Sequence, residues 1–64
     1  MSIAREELPV PAPTVGMVYR DAHDRSLMVL GIGRGRVLVE YADGAITSLR
    51  RARWPGLKPR RASF

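Results

Sequence analysis

The sequence predicts an all-β fold: a small antiparallel meander of four to five strands, curled into a barrel. Three observations predict it. Apolar and polar residues alternate along Val15–Arg20 and Arg36–Ala42, the pattern of strands with one buried face. Glycine-bearing turn signals at Gly33-Arg34-Gly35 and Asp43-Gly44 separate the strand candidates by too little chain for a helical crossover. Four strand candidates fit between residues 15 and 51, so a run of short hairpins is the natural connection.

Residues 1–14 read as a flexible Pro-rich tail, and residues 15–64 as the folded domain with a basic C-terminal segment. In the tail Pro9, Pro11 and Pro13 alternate, each lacking a backbone donor and favouring extended geometry. Such a run serves either as a stiff spacer or as a ligand for an aromatic groove. The Ala4–Leu8 stretch fits a helical turn too short to stand alone.

Order is expected to begin near Val15, with Val15, Met17 and Tyr19 on one strand face. Asp21 to Arg25 is polar and turn-like. Ser26 to Ile32 is almost continuously apolar, which predicts a central strand buried on both sides. Gly33-Arg34-Gly35 fits a hairpin tip; its spacing lacks the following helix of a dinucleotide-binding loop. In the third strand Val37, Val39 and Tyr41 share one face and Leu38, Glu40 and Ala42 the other. Asp43-Gly44 predicts a two-residue turn with positive φ at both positions. Ala45 to Arg51 returns as a strand; Ile46 and Leu49 stand three apart, which predicts a bulge or a strand end near Leu49. Trp54-Pro55-Gly56 fits a type II turn or a single 3₁₀ turn. Arg60 to Phe64 either forms a short closing strand or frays. A sheet of this size buries both faces only by curling, and Gly16, Gly31, Gly33 and Gly35 supply places to bend.

With 64 residues and no Cys, the chain forms one domain without disulfides or thiolate metal sites. The single His23 does not make a metal site. No apolar run approaches the ~18 residues of a membrane span, and the charged N-terminus lacks a signal-peptide core. A cytoplasmic protein with no membrane partner is the expectation. No cofactor motif and no catalytic set is visible, so the expectation is a binding module and not an enzyme. Asp21, His23 and Asp24 read as a turn, and Ser26, Thr47 and Ser48 have no His or Lys at a telling spacing.

Charge is the strongest functional signal. The net charge is +5, but residues 1–43 hold five Arg against six acids, and residues 44–64 hold six bases and no acid. Such asymmetry points to a polyanion. The candidate contacts are Arg50, Arg51, Arg53, Trp54, Lys58, Arg60 and Arg61, with Arg34 and Arg36 at the second hairpin tip. Guanidinium groups match phosphates in bidentate fashion. Trp54 serves either to stack on a base or to plug the core. Strand alternation would put Arg51 and Arg53 on one face and Arg50 on the other. Tyr19 and Tyr41 are expected in the core, in cross-strand contact if their strands pair, and Glu40 is expected to pair with an Arg of a neighbouring strand. Nucleic acid, DNA or RNA, is the partner this pattern favours. A protein-interaction module, an adaptor or small subunit with open strand edges and a capacity to homo-oligomerise, is the alternative.

The strand order, with Glu40-Tyr41-Ala42-Asp43-Gly44 at the third hairpin, resembles the SH3-like small barrels, the Tudor and KOW-type members most closely, over roughly residues 15–60. That resemblance implies binding of RNA, DNA, ribosomes, methylated side chains or other proteins. Tudor readers of methylated residues use an aromatic cage. The only aromatics here are Tyr19, Tyr41, Trp54 and Phe64, and nothing in their spacing makes three of them converge.

Overall fold

The computed structural model describes residues 10–62; the Ala4–Leu8 turn, Pro9 and the end of the Arg60–Phe64 segment lie outside the described residues. The chain is all-β. Five strands, β1 (Val18–Arg20), β2 (Ser26–Gly33), β3 (Arg36–Tyr41), β4 (Ile46–Arg50) and β5 (Arg60–Arg61), form one antiparallel sheet in the order β4-β3-β2-β1-β5. A 3₁₀ helix, η1 (Arg51–Leu57), joins β4 to β5.

The register sorts the side chains. Leu27, Val29, Val37 and Val39 point to one face, where Tyr19 and Trp54 complete the buried core and Met17, Tyr41, Leu49 and Leu57 pack against it. Met28 and Leu38, one residue out of phase, are exposed. β2 is therefore central but, among the described residues, covered on one face only, not on both as its apolar run predicts, because no second layer of described residues lies over the other side of the sheet.

The sheet does not close into a barrel. β4 and β5 remain separate edges, β5 has only two residues, and η1 takes the path between them. Closure of the core falls to Trp54, which is buried on η1 and meets Tyr19 edge to face at a centroid distance of 5.0 Å. Tyr19 and Tyr41 do not pair across strands: β2 lies between theirs, and Leu27 stands opposite both.

One turn and the place of the strand irregularity differ from expectation in detail. The third hairpin is a three-residue connection: Tyr41 N–H donates to the Ala45 carbonyl and Gly44 N–H to the Tyr41 carbonyl. Only Gly44 has positive φ, at 92°, as in a type I turn ending in a left-handed residue. No bulge occurs in β4; Ile46 faces out and Leu49 faces in, so their spacing of three needs none. The irregularity lies in β2, between Val29 and Gly31.

The segment preceding β1 is tied to the core from residue 11 onward. Trp54 Nε1–H donates to the Pro11 carbonyl at 2.7 Å, Tyr19 Oη–H to the Ala12 carbonyl at 3.1 Å, and Thr14 N–H to Tyr19 Oη at 3.1 Å. Pro13 is buried. Two aromatic polar tips that would otherwise be orphaned in the core thus find backbone partners. No helix among the described residues is long and apolar enough to cross a membrane.

Candidate nucleic-acid interface

Paired and unpaired charges are segregated along the strand direction, the aspartates and their arginine partners at one end and arginines without a described carboxylate partner at the other. The β1–β2 loop and the β3–β4 hairpin sit together at the start of β2, where Ala42 N–H donates to the Ser26 carbonyl. That end carries Asp21, Asp24 and Asp43. Asp21 is 1% exposed and organises its loop. Its Oδ1 accepts from the backbone N–H groups of His23 and Arg25, both at 2.9 Å, and its Oδ2 from Arg25 Nε at 3.1 Å. Burial opposes ionisation of this carboxyl, but the two backbone donors and the Arg25 guanidinium outweigh it and hold it below its ordinary value. Asp24, in the left-handed region at φ 62°, lies 3.4 Å from Arg20 and 3.3 Å from Arg60. Asp43 Oδ1 accepts from Ala45 N–H. Asp21, His23 and Asp24 thus build a turn, and no cluster of three potential metal ligands occurs among the described residues.

The opposite end is basic. β2 runs eight residues to Gly33, a length of about 25 Å, well beyond the ~8 Å over which charges act through physiological salt. There the β2–β3 hairpin turns through Arg34 and Gly35, with Gly35 at φ 66°. The β3–β4 register sets Arg36 opposite Arg50. Arg51 N–H donates to the Gly35 carbonyl at 2.8 Å, bringing the first residue of η1 beside the hairpin tip. Arg53 follows on η1, and a groove along the β4 edge is lined by Arg36, Arg50, Arg53, Thr47 and Ser48. Among the described residues no carboxylate pairs with Arg34, Arg36, Arg50, Arg51 or Arg53.

The structure therefore divides the residues singled out from the sequence. Arg34, Arg36, Arg50, Arg51 and Arg53 gather at one end. Arg60 lies apart, paired with Asp24 and donating to the Asp21 carbonyl, so it belongs to the ion pairs of the aspartate-bearing end. Lys58 caps η1 with φ 51°, and Arg61 stands exposed on β5 opposite Tyr19. Trp54 is withdrawn from any interface: at 2% exposure it is a core plug and offers no face to a base. The alternation assigned to Arg51 and Arg53 does not apply, since both lie on η1. Glu40 faces Met28 and Ile46 across its ladders, and no Arg pairs with it among the described residues. Tyr41 is half-buried, with the Arg25 guanidinium 4.9 Å from its ring centroid. Compared with protein-family models, curated proteins and solved structures, the chain has no significant match.

Proposed function

We propose that the chain binds nucleic acid by neutralising backbone phosphates with the arginine cluster at the Gly33–Arg36 hairpin and the β4–η1 junction. The observation that carries this reading is the Arg36–Arg50 pair. Like charges directly opposite in a sheet repel, and no described carboxylate offsets these two. The fold holds repulsion at this end that an anionic partner relieves. The likeness of the Glu40–Gly44 hairpin to the SH3-like small barrels, many of which bind RNA or DNA, supports the same reading. Contacts to phosphate give affinity and position without reading sequence, and the mechanism requires no chemical step.

The test is a salt titration of binding to a short labelled nucleic acid, followed by fluorescence anisotropy. Each neutralised phosphate contributes about 0.7–0.9 to the slope of log affinity against log salt. Replacing Arg36 and Arg50 together by Gln is expected to lower that slope by about 1.4–1.8. No binding at low salt, or an unchanged slope in the double variant, refutes the proposal.

A second reading rests on the open β4 edge, where Ile46 is 60% exposed: strand addition by a protein partner. Binding of that kind would survive the Arg36→Gln, Arg50→Gln change.

A further inference from the structure

Of the two glycines of β2, Gly31 sits at the register shift after Val29, where the strand bends, and Gly33 has no use inside the fold. Neither Gly31 nor Gly33 lies in the left-handed region, and a Cβ built on either would have no atom within 4 Å. Gly35 and Gly44 differ, because their positive φ values demand glycine. Gly33, a strand glycine that answers neither to backbone geometry nor to internal packing, weakens the strand and marks a place where something outside approaches closely.

The register shows what surrounds them. Gly33 pairs with Arg36, which pairs with Arg50; Gly31 pairs with Leu38, which pairs with Ser48. Paired residues share a face, and Arg36 and Leu38 alternate with the buried Val37 and Val39. Both glycines therefore open on the face away from the core. They form a shelf of bare backbone beside two guanidinium groups that have no described carboxylate partner. A partner can approach this shelf more closely than any part of the sheet that carries side chains.

The chemistry of the shelf selects an elongated anion with its charge on the outside. Single strands are held largely by stacking bases on aromatic rings. Among the described residues no ring serves that purpose here: Tyr19 and Trp54 are in the core, and Tyr41 packs against it with Arg25 at its ring. A duplex hides its base faces and presents phosphates outward. We infer that the Gly31–Gly33 shelf and the Arg36–Arg50 pair receive the sugar-phosphate backbone of double-stranded nucleic acid at close range. This rests on the nucleic-acid reading and goes further by naming the contact surface and the duplex.

The experiment places a side chain on the shelf of the full chain. Gly33→Val suits a strand and meets open space, so thermal unfolding is expected at the wild-type temperature or above. Its affinity for short DNA and RNA duplexes at low salt is expected to fall about tenfold, because the valine holds the phosphates away from Arg36 and Arg50. Gly33→Ala is expected to fall between the two, and serves in place of the valine variant if that one misfolds. If the wild type binds duplex and the Gly33 variants bind it equally well, the shelf is refuted while the nucleic-acid reading stands. Tighter wild-type binding to a single strand of the same length overturns the duplex assignment in the same way. If the wild type binds none of these probes, the nucleic-acid reading itself has failed.

Discussion

Asp21→Asn is expected to cost about 2–3 kcal/mol at neutral pH and to remove part of the protein's acid sensitivity. The carboxylate is buried, accepts two backbone N–H groups at 2.9 Å, and meets Arg25 through Nε at 3.1 Å and Nη2 at 3.0 Å. Asn keeps the shape and one acceptor oxygen. The two backbone bonds become neutral instead of charge-assisted, a loss of about 1 kcal/mol each. Toward Arg25 the amide turns a donor against donors. The Arg25 side chain is 59% exposed, so solvent screens that pair and its loss is held to about 0.5 kcal/mol. Domains of this size unfold with only a few kcal/mol, and each kcal/mol moves the midpoint by about 4–8 °C. Thermal unfolding followed by circular dichroism should therefore shift down by about 10–20 °C. The pH dependence has a definite sign. The folded carboxyl titrates below its unfolded value of about 3.9, so in acid the unfolded chain binds more protons. Asp21 thus stabilises the fold above about pH 4, and that contribution is lost as pH falls through the folded value. Asn does not titrate, so the gap between wild type and variant should narrow on acidification. A variant as stable as wild type at neutral pH, or a gap that stays constant down to about pH 2, would refute the assignment.

Two further outcomes follow from the same contacts. Tyr19→Phe removes the hydroxyl that bridges Ala12 and Thr14; it should cost about 1 kcal/mol and speed amide exchange at Thr14, and unchanged exchange would contradict the anchoring of residues 11–14. Arg36→Glu replaces the repulsion with Arg50 by attraction and should stabilise the fold by about 0.2–1 kcal/mol at low salt, read by urea unfolding, while nucleic-acid affinity falls. Stability and binding moving in the same direction would sink the argument.

The strands were legible because their signals are local. Val37, Val39 and Tyr41 alternate over one short run, and Gly33-Arg34-Gly35 marks its own turn. What escaped depends on partners far along the chain. Nothing near Ser26–Ile32 reveals that only one side of the sheet is covered, so its apolar run reads as buried on both faces. Pro11 and Ala12 read as tail because their carbonyls meet Trp54 and Tyr19 only in three dimensions. The basic tract was visible as composition, but its division was not: Arg60 finds Asp24 across 36 residues, while Arg36 and Arg50 meet through hairpin register. Gly31 and Gly33 read as places to bend. Their pairing through the two-residue tip sets them on the Arg36 face, but the open space around them depends on the three-dimensional fold.

The bond from Trp54 to the Pro11 carbonyl spans 43 residues, and this orders the assembly of the chain. The β2–β3 and β3–β4 hairpins close over short loops that form within microseconds. The indole must wait for them, because its binding place is the surface they create, and loop-closure entropy disfavours the long connection until that surface exists. Until it docks, the apolar side of the meander lacks its largest cover, the indole carried on a seven-residue helix.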